Sequence, residues 1–323
     1  MCYFLEQTLI SVQKALQSVD GEIFVVDNNS VDGSVEMIKA KFPEVQLIAN
    51  QDNVGFSRAN NQAIRLAKGQ YVLLLNPDTV IQEDTLKKCC DVMDSRPVVG
   101  GLGVYMVDGK GNYLPESKRG LPTPWVAFYK IIGLSKLFPR SQKFGRYHLG
   151  FLNRDQIHEI EVLSGAFMFL RKEVLDKIGM LDEDYFMYGE DIDLSYRITK
   201  AGYTNLYFPE TRIIHYKGES TKKSTVNYVL VFYGAMIIFA RKHFKGNYAG
   251  IFSAIIQGAI YFRAFASVLL RFAKQIATPL LHFTTIFLGM AFIKSYWQDN
   301  FKHEPGTYPL EYLYVVLPLY VIT

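Results

Sequence analysis

Apolar residues recur along the first two hundred positions in short blocks, each closed by a polar turn. Residues 4–16 set Leu5, Leu9, Val12 and Leu16 at helical spacing, which predicts an amphipathic helix. Residues 22–26 read as a short strand running into Asp27, and residues 34–41 as a helix halted before Pro43. A second strand follows at 45–49. Residues 57–68 form a helix with Gly69 as its C-cap. Residues 71–75 are apolar throughout, the pattern of a strand covered on both faces. Strands alternating with helices predict an α/β chain with a doubly wound, mostly parallel sheet and helices on both faces.

The pattern loosens over 99–160. Gly100, Gly101 and Gly103, a turn at 108–111, and Pro115, Pro122 and Pro124 lie in a stretch rich in Lys, Arg and aromatics. This predicts a loop-rich insertion of the kind that selects substrate. Strand character returns at 162–170, a loop and helix at 182–202, and short strands at 204–208 and 211–215. The chain opens on a helix, where folds of this kind open on a strand. A sheet without that first strand leaves a slot flanked by unpaired backbone groups. The apolar run at 312–323 stops abruptly, so the chain reads as a fragment at one or both ends.

From about 226 the composition changes, which divides the chain into 1–225 and a helical, membrane-associated 226–323. Residues 229–240 are apolar and lead into Arg241, Lys242, His243 and Lys245, as in a helix lying at an interface. Residues 251–270 contain Arg263, costly in lipid, and read as interfacial or buried. A transmembrane helix is expected at about 277–297, and a truncated one from about 308. Lys and Arg flank these segments on the side of the head, which assigns the head to the cytoplasmic face of the cell (inner) membrane.

Charge agrees with that division. Residues 1–210 carry 27 acidic against 23 basic side chains, and residues 211–323 carry 4 against 12. A basic, apolar tail suits an anionic membrane surface, and with no recognition motif present nucleic acid is excluded as a partner. Cys2, Cys89 and Cys90 have neither disulfide nor metal-ligand spacing and read as thiols in a reducing compartment.

Four polar motifs follow apolar stretches, as ligand loops do in open α/β folds. Asp27 begins the turn Asn28, Asn29, Ser30, Val31, Asp32, Gly33, Ser34. Its carboxylate can accept from a base or ribose, and the turn's N–H groups precede a helix; an Asx-rich turn capped by Asp32 or Ser34 reads equally well. Asn53 and Gly55 form a turn into a helix where Arg58 can meet a phosphate and Asn60 can bond donor or backbone; a capped helix with a solvated Arg58 is the plainer reading. Asn76-Pro77-Asp78 ends the 71–75 strand, where a carboxylate suits a hard divalent cation or simply a tight turn. Glu190-Asp191-Ile192-Asp193 opens a helix whose dipole favours acids. Two adjacent carboxylates beside Phe186, Met187 and Tyr188 should also have a raised pKa, which suits Asp191 as a general base. His215 ends a strand ahead of Gly218 and Ser220, and reads as a metal ligand or diphosphate contact.

In this order the motifs resemble those of the family 2 glycosyltransferases with the GT-A (Rossmann-like) fold, especially the rhamnosyltransferase-like and galactofuranosyltransferase-like branch, over residues 4–225. The resemblance implies that Asp27 contacts the nucleotide base, that Asn76-Pro77-Asp78 is the DxD-type motif, that Glu190-Asp191 supplies the base, and that His215 completes a Mg2+ or Mn2+ site with Asp78. It implies inverting transfer from a nucleotide-diphosphate sugar, dTDP-rhamnose or a UDP-sugar, to a glycan or lipid-linked acceptor in cell-surface polysaccharide synthesis. Asn76 departs from the family's first Asp. A sugar nucleotidyltransferase and a non-catalytic membrane scaffold with a degenerate GT-A head are the alternatives.

Overall fold

The computed structural model describes residues 1–216, 225–244 and 248–300. Contacts divide the chain into two units, Met1–Gln257 and Gly258–Thr323.

The first unit begins with α1 (Cys2–Ala15), β1 (Phe24–Asp27), α2 (Ser34–Lys41), β2 (Gln46–Ala49), α3 (Phe56–Leu66) and β3 (Tyr71–Leu75). β1 and β2 pair in parallel as a two-stranded sheet. A six-stranded sheet runs β3, β7 (Phe167–Arg171), β5 (Val99–Val107), β8 (Thr204–His215) and β4 (Thr79–Ile81), with β6 (His158–Ile160) also on β8. Only β5 and β8 are parallel within it, so the sheet is mixed and not mostly parallel. The parallel expectation assumed helical crossovers throughout. β3 passes to β4 through the turn at Asn76-Pro77-Asp78 with no helix between, and β7 arrives from a long excursion that leaves its direction free.

Both faces of the larger sheet are covered, and side chains alternate between them with the strand period of two. Tyr71, Leu73 and Leu75 join Phe167 and Phe169 on one side, packed on Val12 of α1, on Leu16 just beyond it, and on Leu86, Cys89 and Met93 of α4 (Thr85–Ser95). Val72, Leu74, Met168 and Leu170 face Ile64 of α3, Val174 of α7 (Lys172–Ile178), and Leu194 and Ile198 of α8 (Glu190–Lys200). Leu5 and Leu9 of α1 also pack with α2 against Val25 and Leu47, so α1 lies under both sheets. Among the described residues no ladder joins β1 to β3. Cys89 is buried, Cys2 and Cys90 are half-buried, and all three are free thiols.

Residues 99–107, expected to be irregular, form the long buried strand β5. Its glycines are there for close packing. A Cβ on Gly100 would stand 2.8 Å from Cγ2 of Ile198 and 2.9 Å from Cβ of Tyr203. The two short strands expected at 204–208 and 211–215 are one strand, β8, with a register shift opposite Val104 and Tyr105. Residues 162–166 are a turn before β7 and not its first half. α3 ends at Leu66 with Ala67 extended, so Gly69 is not its cap. The insertion holds α5 (Pro124–Ile131) and α6 (Leu134–Leu137).

α9 (Thr225–His243) buries Ala235, Met236, Phe239 and Ala240, the last two completely. Its end is fixed by charge, with Lys242 on Asp182 and His243 Nε2 2.6 Å from Asp193 Oδ1. α10 (Tyr248–Asn300) contains one stretch, Val268–Tyr296, long and apolar enough to cross a bilayer, with a mean hydropathy of 1.8. The helix expected from 308, and Gly218 and Ser220, lie outside the described residues.

Gly100→Ala should destabilise the protein by about 1–3 kcal/mol, the range for forcing a methyl into a packed core. An unchanged urea midpoint would show that Ile198 and Tyr203 yield freely.

Candidate active site

Five loops meet at the strand ends, and backbone bonds lock them together. The turn after β3 places Asn76 so that its N–H donates to Ala166 O at 3.1 Å. One residue earlier, Gly165 N–H donates to Asp191 Oδ2 at 3.2 Å. The 164–166 turn therefore holds the Asn76-Pro77-Asp78 turn on one side and the start of α8 on the other. The Thr8 hydroxyl of α1, 2.8 Å from Pro77 O and 2.7 Å from Thr79 O, braces the first turn from below.

Asp78 is fully buried, and the β4–β8 register of Thr79 with His215 brings the next side chain alongside it. Its Oδ1 lies 3.4 Å from His215 Nε2. The buried Nδ1 of His215 has no hydrogen-bond partner among the described residues. A carboxylate beside a buried imidazole with an orphaned nitrogen fits a hard divalent cation that keeps open positions for diphosphate oxygens and water. No cluster of three or more His, Cys, Asp or Glu occurs among the described residues.

At α8 three acids have three different surroundings. Glu190 is buried, and burial, reinforced by the Asp191 charge, pushes its carboxyl up to about 8. Its Oε2 has no partner among the described residues. The carboxyl that is pushed up is thus that of Glu190. Asp191 is bonded by the Arg119 guanidinium on Oδ2, and its Oδ1 accepts from Ile192 N–H at 2.8 Å. Asp193 turns away into the protein, where Arg197 Nε at 2.7 Å and His243 take its two oxygens. Tyr188 and Gly189, at φ 67° and 88°, make the sharp entry into the helix. A left-handed tyrosine is uncommon and stores strain at this turn.

Asp27 ends β1 with its carboxylate buried and Oδ2 accepting Ser30 N–H at 2.9 Å. Asn29, at φ 65°, bends the loop there, and Asn28 Nδ2 reaches Gly55 O at 3.4 Å. Asn53 Oδ1 accepts Gly55 N–H at 3.0 Å, and Phe56 N–H donates to Phe186 O at 2.8 Å. Gly55 sits at φ 87°, and a Cβ on it would be 2.7 Å from the Phe186 ring. So the loops carrying Asp27, Asn53 and Glu190-Asp191 converge. Three further expected residues have partners within the protein. Arg58 Nε lies 3.5 Å from Glu183, Asn60 bonds back to Phe56 O at 2.9 Å, and Asp32 holds Ser34 and the Cys2 N–H. The Ser34 hydroxyl, first among those bonds, keeps the Asp32 carboxyl down at about 2.

Arg119 was not singled out in the sequence. It lies beside Lys118 in the basic insertion, where nothing in the pattern separates it from eight other cations between 110 and 154. Its bridge to Val162 is what carries it to Asp191.

Comparison with known proteins gives the family and the fold. The family model described as Glycosyl transferase family 2 matches residues 3–179. The chain is 24% identical over 271 residues to the N-acetylglucosaminyl-diphospho-decaprenol L-rhamnosyltransferase of Mycobacterium tuberculosis, covering 80% of this chain and 87% of that one. It is 27% identical over 172 residues to Rhamnosyltransferase WbbL of Escherichia coli, over 50% and 61% of the two chains. Its fold is shared with a mannosyltransferase of Pyrobaculum calidifontis solved with GDP-Man and Mn2+, at a TM-score of 0.53, 16% identity, and coverage of 100% and 84%. With more than half of its length matched by the family model, the chain belongs to glycosyl transferase family 2.

Proposed function

We propose that this chain is an inverting glycosyltransferase that moves a sugar from a nucleotide-diphosphate sugar, of the dTDP-rhamnose or UDP-sugar type, to a lipid-linked acceptor at the cytoplasmic face of the membrane. The observation that carries the reading is the pair of bonds from adjacent residues, Gly165 to Asp191 and Ala166 to Asn76. They set a carboxylate beside the turn that holds Asp78 and His215, as a reaction between an acceptor hydroxyl and a diphosphate-bound sugar requires.

Asp27, with Asn29, Ser30 and the 53–55 turn, is the wall for base and ribose. Asn76 is suited to hydrogen bonding with donor hydroxyls. A Mg2+ or Mn2+ ion held by Asp78 and His215 would supply positive charge to the diphosphate leaving group. Asp191 takes the proton of the acceptor hydroxyl as its oxygen bonds to the anomeric carbon. The bond from that carbon to the diphosphate oxygen breaks, and the nucleotide diphosphate leaves with the electron pair. Attack on the face opposite the leaving group inverts the centre. Arg119 fixes the Asp191 carboxylate and acts as a positioning residue. Glu190, buried and protonated at neutral pH, keeps a second negative charge away from the diphosphate.

Support for the acceptor class comes from the rhamnosyltransferase relative, whose name specifies a diphospho-decaprenol substrate, and from the apolar Val268–Tyr296 stretch. Flanking Lys and Arg favour a cytoplasmic head.

Asp191→Asn should cut turnover by about 100- to 10,000-fold, the usual contribution of a general base, with donor affinity nearly unchanged. Equal loss of both in steady-state kinetics would remove it as the base.

Calorimetric titration with UDP and with dTDP, each with and without Mn2+, should show metal-dependent binding of one nucleotide that Asp78→Ala abolishes. Metal-independent binding, or metal dependence surviving in Asp78→Ala, would refute the assignment of that site.

Glu190 gives a pH signature. Its folded-state value, about 8, lies above the ordinary 4.5. Between those values the folded protein keeps a proton that the unfolded chain releases, so stability falls as pH rises through the window. Glu190→Gln should therefore match the wild type near pH 4.5 and gain on it progressively toward pH 8. Parallel melting curves across that range would mean that Glu190 is ionised in the folded protein.

A further inference from the structure

Between β5 and β6 the chain leaves the sheet, and in this excursion it forms a cavity of about 1000 Å³. Its wall carries Lys118, Lys130, Lys136, Arg140, His148 and Arg154, and no carboxylate lines it. The composition behind it is equally one-sided, because residues 110–154 hold nine Lys or Arg and a single acid, Glu116. Lys118 lies deepest. Its ammonium donates to Leu149 O at 2.7 Å and Leu152 O at 2.8 Å, and burial lowers its pKa to about 8. Two neutral carbonyls hold this ammonium and no carboxylate among the described residues balances it, so an anion entering the cavity would meet positive charge in a poorly solvated place.

The outer surface of the same segment is apolar. Trp125, Leu137 and Phe138 are 60%, 71% and 52% exposed. Trp125 packs on Phe128 and Tyr129, and Phe138 on Phe144. Aromatics interleaved with Lys130, Lys136 and Arg140 are the composition of a surface that rests at the headgroup level of a bilayer.

The cavity also adjoins the reacting groups. Lys118 is extended, at φ −142° and ψ 126°, so its side chain and that of Arg119 leave opposite sides of the backbone. Arg119 bonds Asp191 on one side, and Lys118 enters the cavity wall on the other. Tyr147 joins the two sides from below. It is buried under the Lys130 ammonium, 3.4 Å from its ring centre, and burial, which would raise its pKa, is outweighed by Lys130 and Arg119.

We propose that this cavity binds the diphosphate of the lipid-linked acceptor, with the aromatic rim of α5 and α6 lying on the membrane from which the lipid emerges. The proposal rests on the glycosyltransferase reading with Asp191 as base. The strand-end site with Asp78 and His215 accounts for the donor diphosphate, and this second basic cavity, beyond Arg119 from Asp191, is left for the other substrate. An acceptor whose sugar hydroxyl faces Asp191 directs its diphosphate past Arg119.

The test uses the full chain in detergent micelles, with farnesyl diphosphate and farnesol as probes, Trp fluorescence as readout, and a separate nucleotide titration. The variant is Lys136→Ala/Arg140→Ala, both exposed side chains outside the donor site. The wild type should bind farnesyl diphosphate far more tightly than farnesol. The variant should lose at least about tenfold in farnesyl diphosphate affinity, as expected for two charge-assisted contacts, and keep its nucleotide affinity. Equal farnesyl diphosphate binding by the two proteins overturns the proposal. So does displacement of farnesyl diphosphate by phosphatidylglycerol at matched concentration, which would make the cavity a general headgroup site. A wild type that binds nucleotide but no farnesyl diphosphate defeats this proposal alone, whereas one that binds no nucleotide defeats the glycosyltransferase reading beneath it.

Discussion

Two consecutive peptide groups, those of Gly165 and Ala166, hold the site together. One gives its N–H to Asp191 and the other its carbonyl to Asn76. Both precede β7, which lies between β3 and β5 in the larger sheet. The antiparallel direction of β7 is what makes this possible, because its start then meets the end of β3. A parallel strand in that place would deliver its first residues to the opposite edge of the sheet. The mixed topology is therefore a condition of the site, and the packing of both sheet faces keeps the two bonds in register.

Charge at the head of α8 is distributed by burial and partner. Three carboxylates within four residues would repel one another at a helix end with only a partial positive charge to offer. Glu190 is buried, and burial beside the Asp191 charge raises its pKa toward the protonated form. Asp193 is matched by Arg197 and His243, and that pairing docks α9 against α8. Asp191 meets the 164–166 turn through Gly165 N–H and is held by Arg119. The same first turn thus places three carboxyls in three different surroundings, one buried, one paired within the protein and one held by Arg119.

Much of this was legible from the sequence because strand period and turn chemistry are local. β1, β2, β3, α1, α2 and α8 fell where alternation and caps put them, and the strand-end acids marked the loops that meet. What the sequence obscured was set by distant contacts. The glycines of β5 read as loop punctuation, yet they exist because Ile198, Tyr203 and Leu163 crowd that strand. The direction of β7 depends on where a long insertion returns. Arg119 is indistinguishable by composition from its basic neighbours and acquires its place through a bridge to Val162. Arg58, which read as a phosphate contact or a solvated side chain, lies exposed beside Glu183, 125 positions further on.

In the function proposed here the two ends of the site would handle anions by different means, and the difference follows from chemistry. Asp78 and His215 bring little positive charge of their own, so a donor diphosphate there needs a cation brought in with it. Such a cation can follow the charge as it grows on a leaving group and depart with the product. The insertion instead offers covalently fixed cations in a cavity without acids. Fixed charge suits a diphosphate that stays intact through the reaction, since nothing there must be released to complete a turnover. Arg119 stands at the boundary of the two regions, with its guanidinium on Asp191 and its neighbour Lys118 in the basic wall. An enzyme joining two diphosphate-bearing substrates has to keep their charges apart while bringing one hydroxyl and one carbon together, and on the proposed reading the backbone through Lys118 and Arg119 would be the partition between them.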